Sequence, residues 1–206
     1  MYYVKTLKYA FHVIVRPFDG FWDLKREQRG GLAAAWTFVA LAILTLTMEK
    51  QNTGFLFNFN RLRDVNLVAD SITVLLLFVL WCLSNWCLTS LMDGEGTMRD
   101  IVTAMGYALF PIILIRLPLI LLSHTITSSE GSFYYLFGAV SYLWAGMLVF
   151  LGTLVTHQYS VRKTLLTCLC TLIGMGIILF IGLLFFNVVQ QMYTFIITVY
   201  KELRFR

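Results

Sequence analysis

Apolar residues form five long stretches along this chain, with almost no charged residue inside them. The stretches cover residues 31–48, 67–92, 101–122, 133–156 and 165–186. At about 1.5 Å of rise per residue, a helix of each length would cross a hydrocarbon core about 30 Å thick. A soluble amphipathic helix would carry a polar stripe every three or four residues, and these stretches do not. The pattern therefore predicts an all-α integral membrane protein with five transmembrane helices.

The last apolar stretch continues beyond residue 186 without any signal for a turn. A single helix of some 35 residues would be about 50 Å long, too long for one span without extreme tilt. Residues 187–191 contain neither glycine nor proline, so a hairpin is not expected there. We therefore expect a span that ends near Phe186 and continues as a helical tail with a basic end.

The N-terminal segment, residues 1–30, has a different pattern of polar positions. Four polar residues follow one another at intervals of three, four and four positions: Lys5, Lys8, His12 and Arg16. Apolar residues such as Phe11 and Val15 occupy the other side. This spacing predicts an amphipathic interfacial helix with a basic edge in the lipid headgroup layer. Two roles are open for this cytoplasmic arm, anchoring to the membrane surface and docking of a partner. Residues 31–206 form the five-span membrane domain.

The distribution of lysine and arginine predicts which side of the cell membrane each end occupies. The arm has six of them, and the loops 93–100 and 157–164 add three more on the same side. The other side carries six, among them Arg61, Arg63 and Arg206. Because positive charge is retained on the cytoplasmic side, we expect a cytoplasmic N-terminus and, after five spans, a C-terminus outside.

Two charged residues lie inside the apolar stretches, where a charge is costly and is usually paired or functional. Asp70 is near the outer start of the second span, and Arg116 is in the outer half of the third, which runs in the opposite direction. We therefore expect Arg116 and Asp70 to form an intramembrane pair. Two roles are open for the pair, a structural one and the lining of a polar cavity for an anionic headgroup or substrate. Asn85, in the second span, is expected to make an interhelical hydrogen bond.

Composition supports the membrane interpretation and argues against catalysis. Charged residues make up 13% of the chain, against about 25% in an average soluble domain. The four cysteines lie inside predicted spans, and His124 falls on the opposite side of the membrane from His12 and His157, which is expected to be a loop histidine. This arrangement gives no three-ligand metal site, and the sequence motifs of common hydrolases are absent. We expect no catalytic residue, no cofactor, no metal and no nucleic-acid partner.

Two glycines mark the loop between the second and third spans. Gly94 and Gly96 predict a tight turn, and Thr97 with Asp100 three residues later resembles a helix capping box. The third span then contains three further motif residues, Gly106, Tyr107 and Pro111. The loop does not suit phosphate, because no strand precedes it, no lysine follows it, and two acidic residues would repel the anion.

These residues resemble the pattern of the Yip (Ypt-interacting protein) domain family, an inner Gly-x-Gly turn, a polar helix start and Gly-Tyr-x-Leu-x-Pro in an apolar span. The segment from Arg16 to Lys25 also resembles the entry segment of bacterial members. The resemblance implies five spans with the N-terminus inside. Eukaryotic relatives are implicated in vesicle trafficking through small GTPases, and some bacterial ones accompany ABC transporters. The acidic Asp-Leu-Tyr-Gly-Pro segment of eukaryotic members is not present here, which points away from a GTPase partner.

Two functional hypotheses follow. The first is a non-catalytic scaffold or accessory subunit that binds the lipid bilayer, anionic lipids in particular, and other membrane proteins such as a transporter permease or a second copy. Small residues one turn apart, such as Ser141 and Ala145, suit the helix contacts that this role needs. The alternative is a small transporter or a component of an ABC-type transport complex. Transporters often have matching broken helices in two repeats, whereas prolines interrupt only the third span here, so the scaffold is favoured.

Overall fold

A computed structural model describes residues 2–58 and 66–204, and the regular secondary structure in these ranges is helical. The helices are α1 (Tyr2–Val15), α2 (Pro17–Arg26), α3 (Leu32–Asn52), α4 (Leu67–Leu91), α5 (Met98–Ala108), α6 (Phe110–Leu122), α7 (Gly131–His157) and α8 (Val161–Arg204). Five segments are long and apolar enough to cross a membrane: α3, α4, α5 with α6, α7 and α8. The predicted fold class is confirmed. Arg61, Arg63 and Arg206 of the charge count lie outside the described residues.

The first spanning helix, α3, continues to Asn52, beyond the predicted end of its span at residue 48. Its last turn contains two charged residues, Glu49 and Lys50. Glu49 is paired with Arg116, and Lys50 is paired with Asp70. Because each charge has a partner, the helix does not have to end before them.

The third predicted span is divided into α5 and α6 at Leu109. Pro111 has no backbone N–H to donate, so the regular pattern of helical hydrogen bonds is interrupted beside it. The Leu109 N–H donates to the Gly106 carbonyl at 3.3 Å, and the Ile112 N–H donates to the Leu109 carbonyl at 3.1 Å. The interruption therefore falls inside the Gly106–Pro111 motif.

The centre of the bundle is α5, whose residues from Ile101 to Ala108 are all buried. Helices α2, α3, α4 and α7 pack around it. Small residues line its contact with α3, which allows the two backbones to approach closely. A Cβ atom built at Gly106 would lie 2.8 Å from the Cα atom of Ala35. The motif glycine is therefore explained by the close approach of two spans.

Helix α8 packs on the bundle over its first four turns, up to Gly174, where a Cβ atom would clash with Ser84 Oγ of α4. Three threonines on that part are buried against the bundle: Thr164, Thr167 and Thr171. The Ser84 hydroxyl of α4 donates to the Thr171 carbonyl at 2.8 Å. Beyond Thr171 the side chains of α8 are exposed or half-exposed up to Arg204. The helix does not turn back, so the predicted helical continuation past Phe186 is confirmed.

Candidate functional site

The arm, which comprises α1 and α2, is held against the bundle by one side of α1. Thr6 and Val13 on that side are buried. The Tyr107 hydroxyl of α5 donates to the Thr6 carbonyl oxygen at 2.8 Å, and Phe11 meets Phe110 edge to face with 5.0 Å between ring centroids. Tyr107, singled out from the sequence motif, therefore joins the arm to the central helix.

The two helices of the arm are also joined to each other. A Cβ atom at Gly20 would lie 2.8 Å from the Cα atom of Val13, so α1 and α2 touch through this glycine. The Tyr9 hydroxyl donates to Asp23 Oδ2 at 2.7 Å. Burial, together with the neighbouring Asp23 carboxylate, raises the pKa of Tyr9 above its ordinary value. The phenol therefore remains a donor, and the arm is one folded unit.

The end of α2 contacts two other segments at the same end of the bundle. Lys25 Nζ donates to the Thr156 carbonyl at 2.8 Å and lies 3.2 Å from Glu95 Oε2. Arg26 lies 3.4 Å from the same Glu95 oxygen. The arm, the loop 93–97 and the last turn of α7 therefore form one continuous surface.

The other side of the arm is exposed and combines basic with apolar side chains. Val15, Phe18 and Trp22 are 76%, 56% and 48% exposed. Lys5, Lys8 and Arg16, predicted to form the basic edge, are exposed as well. His12 is half-buried, with its ring 5.2 Å from that of Tyr9.

The loop 93–97, called here the Gly loop, lies directly on the end of α7. A Cβ atom at Gly94 would lie 2.6 Å from His157 Nδ1, and one at Gly96 would lie 2.7 Å from Thr156 Cγ2. Neither glycine has a positive φ, whereas Asp93 has a φ of 54°. The sequence predicted a turn from these glycines. The structure shows that these positions need glycine because a side chain would clash with the end of α7, and not because the backbone has a positive φ.

A buried histidine lies beneath the Gly loop, where the sequence interpretation expected an ordinary loop residue. The side chain of His157 is only 2% exposed because α7 extends to this residue. Its Nδ1 accepts from the Gly96 N–H at 3.3 Å, so the proton is on Nε2, which donates to Asn85 Oδ1 at 3.1 Å. The expectation of a loop histidine is wrong. The side chain can be buried because Gly96 and Asn85, which belong to two other segments, hydrogen-bond its two ring nitrogens.

Asn85 extends this hydrogen-bond chain to α8. Its Nδ2 donates to the Thr171 hydroxyl at 3.3 Å, so one side chain joins α4, α7 and α8. The predicted interhelical hydrogen bond of Asn85 is confirmed. Because every group in the chain has a partner, the polar atoms are stable in low-dielectric surroundings.

Two further contacts fix the start of α8 at the same place. The Tyr159 hydroxyl and Lys163 Nζ both donate to the Met92 carbonyl, at 3.0 and 2.7 Å. Lys163 also lies over the Tyr159 ring, 4.1 Å from its centroid. Burial raises the pKa of Tyr159, and the nearby Asp93 adds to the effect. The predicted capping box is also present, since Thr97 and Asp100 exchange hydrogen bonds at the start of α5.

Each side-chain nitrogen of Arg116 has a hydrogen-bond partner, and these partners differ from the one predicted. Arg116 Nη1 donates to Glu49 Oε1. Its Nε donates to the Ser141 hydroxyl at 3.1 Å, and its Nη2 donates to the Gly138 carbonyl at 3.2 Å. The guanidinium carbon lies 4.1 Å from the centre of the Tyr142 ring. Helices α3, α6 and α7 are therefore joined by one buried cation.

The predicted pair of Arg116 with Asp70 is wrong. Asp70 Oδ1 instead accepts from Lys50 Nζ at 2.6 Å. The physical reason is the length of α3, which continues one turn past residue 48 and brings Glu49 beside Arg116. Glu49 was overlooked because it follows the predicted span, although a carboxylate at the outer end of one span is a natural partner for an arginine in the outer half of another.

The candidate site residues thus divide into two groups. Gly94, Gly96 and the basic arm residues lie at one end of the bundle. Arg116 lies toward the other end, with its partners. Among the described residues, no three His, Cys, Asp or Glu side chains come together as metal ligands. The absence of a metal, a cofactor and catalysis stays a prediction.

Comparison with protein families matches residues 11–195 to the model of the Yip1 domain. The match begins in α1 and ends in α8, so it covers most of the arm and all five apolar segments. No curated protein and no solved structure matched the chain.

Proposed function

The chain belongs to the Yip1 domain family, and from this membership and the geometry of the arm we propose that it is a non-catalytic membrane scaffold or accessory subunit that binds other membrane proteins. Family membership and several apolar helices are consistent with such a role. We assign it to the bacterial-type members, in an inner membrane, because the segment from Arg16 to Lys25 resembles their entry segment.

The observation that carries this proposal is the two-sided packing of the arm. One side is buried against the bundle through Thr6 and Val13, so the arm has a fixed position. The opposite side exposes Phe18 and Trp22 next to basic residues. Large aromatic side chains and arginine are the residues that dominate binding at protein interfaces. A rigid element that presents them suits recognition of a partner.

The same end of the bundle supports the proposed orientation. The arm, the Gly loop and the start of α8 lie together, and their basic residues are therefore on one side of the membrane. A cytoplasmic N-terminus and an outer C-terminus satisfy the preference of positive charge for the cytoplasm. Single cysteines at Gln28 and Thr125 in a cysteine-free background test it. An impermeant thiol reagent applied to intact cells should label position 125 and not position 28, and the reverse result would contradict the orientation.

Anionic lipid is the second partner in this proposal. Lys5, Lys8 and Arg16 should each contribute on the order of 1 kcal/mol at an anionic surface, and Val15 should enter the headgroup layer. Changing the three to glutamine should reduce the preference of the arm for anionic lipid by roughly a hundredfold at low salt. Quenching of a dye at position 15 by brominated anionic or neutral lipid in nanodiscs measures this preference. Arg99→Gln with Arg162→Gln is the control outside the arm.

The surroundings of Arg116 support the scaffold over the transporter alternative. A transport path for an anion needs a positive charge that no other anion already neutralises. The guanidinium group of Arg116 is instead occupied by a carboxylate, a hydroxyl, a carbonyl and an aromatic ring. If the purified protein in liposomes takes up an anionic solute and the Arg116→Leu variant does not, the transporter alternative is favoured.

A photo-crosslinking experiment on the full chain tests partner binding. A photoreactive phenylalanine analogue at position 18 should capture a membrane protein in intact cells. The same protein should co-purify with the unmodified chain in mild detergent and be lost from Phe18→Ser with Trp22→Ser.

Phe133 provides the matched control, because it is an exposed aromatic residue, 62% accessible, at the far end of α7. The analogue at this position should capture lipid and no such partner. Capture of lipid alone at both positions would reject the arm as a protein-binding surface. Capture of the same partner from position 133 alone would move the surface to the other end of the bundle.

A further inference from the structure

Helix α8 is far longer than the bundle it belongs to. Ser84 of α4 and Thr171 of α8 lie at one level, since they share a hydrogen bond of 2.8 Å. From that level α4 reaches its first residue, Leu67, in about 26 Å, whereas α8 reaches Arg204 in about 50 Å, at about 1.5 Å per residue. About 24 Å of helix, called here the tail (residues 188–204), therefore projects past the end of α4.

One set of apolar residues on the tail follows the spacing of a coiled-coil seam. They recur at alternating intervals of three and four residues, at Val189, Met192, Ile196, Val199 and Leu203. In a seven-residue repeat lettered a to g, these are the a and d positions, which face a partner helix. The outward positions b, c and f carry mostly polar residues: Gln190, Gln191, Thr194, Thr198, Lys201 and Arg204, with Ile197 as the exception.

The apolar side of the tail has no cover within the described part of the chain. Every side chain from 188 to 204 is exposed apart from Ile197, which is half-buried. Ile196 is 62% exposed and Leu203 is 74% exposed. The part of α8 that precedes the tail, residues 161–187, is about 40 Å of helix and is already longer than a hydrocarbon core of about 30 Å.

We propose that the tail pairs with the tail of a second copy of this chain in a parallel two-stranded coiled coil. Two copies in one membrane have the same orientation, so their tails emerge on the same face and run in the same direction. The β-branched residues Val189 and Ile196 occupy a positions, as they do in two-stranded coiled coils, and Met192 and Val199 occupy the d positions. This pairing is independent of the binding role of the arm, which lies at the opposite end of the bundle.

The flanking positions fit the same partner. In a parallel pair, position g of one helix lies beside position e of the next repeat on its partner. These pairs are Val188 with Tyr193 and Phe195 with Tyr200, which are apolar or aromatic. The second copy therefore covers the large rings that the single chain exposes, and the amide and hydroxyl side chains remain in water.

The composition of the tail also argues against a helix lying flat on the membrane. A surface helix carries lysine and arginine along its polar side. From 187 to 198 the polar side of the tail holds only amides and hydroxyls. Lying flat would also need a bend between span and tail, yet α8 is continuous and has neither glycine nor proline after Gly182.

Cysteine crosslinking of the full chain in native membranes tests the pairing. In a background without Cys82, Cys87, Cys168 and Cys170, single cysteines are placed at seam positions 192 and 196 and at outward positions 194 and 198. A disulfide needs Cβ atoms about 3.5–4.5 Å apart, so mild oxidation should give covalent dimers from the seam positions alone. Equal yields at 194 and 196, or a higher yield at 194, would overturn the proposal.

A charge at the seam provides a second test that does not depend on crosslinking. Ile196→Asp should weaken dimerisation by at least about thirtyfold, because two aspartates would face each other in the apolar seam. Thr194→Asp adds the same charge on the outward side and should leave the dimer intact. Light scattering of the protein in detergent and mass photometry in nanodiscs give the mass. A monomer in both media for the unchanged chain would overturn the proposal, as would equal weakening by both variants.

Discussion

The bundle and the tail of α8 distribute polar and apolar side chains in opposite ways. In the bundle, polar groups such as Asn85, His157 and Arg116 are buried, and each has partners on other helices. In the tail, polar side chains point away from an apolar seam that is itself exposed. Each buried polar group of the bundle depends on a few specific partner atoms in the same chain. Substitutions in the bundle should therefore reduce the stability of the single chain. Substitutions in the tail should affect assembly and leave the fold unchanged.

The largest effect in the bundle is expected at Arg116. Arg116→Leu leaves the Glu49 carboxylate without its cation, and breaking a buried ion pair from one side costs about 3–5 kcal/mol. Replacing both residues by leucine should cost less than either single change, since no lone charge is left. The free energy of unfolding in mixed detergent micelles, titrated with a denaturing detergent, measures the three variants.

The neighbouring pair is the control for Arg116. Lys50 is 45% exposed at its side chain, so Lys50→Leu should cost at most about 1 kcal/mol. If Lys50→Leu lowers the free energy of unfolding as much as Arg116→Leu does, burial does not determine how much each ion pair contributes to stability.

The second largest effect is expected where two spans touch through glycine. Gly106→Ala would bring a Cβ atom to 2.8 Å from the Ala35 backbone, and overpacking of this kind typically costs about 1–3 kcal/mol. Gly176, on the exposed part of α8, has open space around it. Gly176→Ala should therefore be neutral or slightly stabilising, because alanine is the better helix former. Equal loss of thermal stability in both variants would contradict the close approach of α3 and α5.

Much of the fold could be predicted because apolarity alone selects the spanning helices. The hydrogen-bond partners of the buried polar residues could not be predicted from the sequence, and His157 shows why. Its hydrogen bonds come from Gly96 and Asn85, which are 61 and 72 positions away in the chain. Glu49 was missed for a local reason, since a charge usually ends a span and its partner on α6 allows the helix to continue. The motif residues Gly94 and Gly96 were found as a pattern, while their purpose depends on what lies beneath them.

Two amide side chains, one buried in the bundle and one exposed on the tail, should differ by an intermediate amount in their effect on the free energy of unfolding. Asn85→Ala removes the acceptor of His157 and the donor to Thr171, both buried. The expected cost is about 1–2 kcal/mol, since interhelical polar contacts in membranes average about 0.6 kcal/mol and the buried partners lose their hydrogen bonds as well. Gln191→Ala removes an exposed amide of the tail and should change the free energy of unfolding by less than about 0.5 kcal/mol. Similar losses in both would mean that the tail is packed in the folded chain.

The smallest effect is expected from the hydroxyl of Tyr107, with the hydroxyl of Tyr193 as its control. Tyr107→Phe removes the hydrogen bond to the Thr6 carbonyl, at a cost of about 0.5–1.5 kcal/mol. Because that bond joins the arm to α5, the arm should open more often while the five spans stay folded. Protease cleavage within residues 27–31 of the protein in nanodiscs should become faster. Tyr193→Phe, on the exposed tail, should leave this rate unchanged. If Tyr107→Phe lowers the stability of the spans without any change in cleavage, the hydroxyl supports the bundle and does not hold the arm.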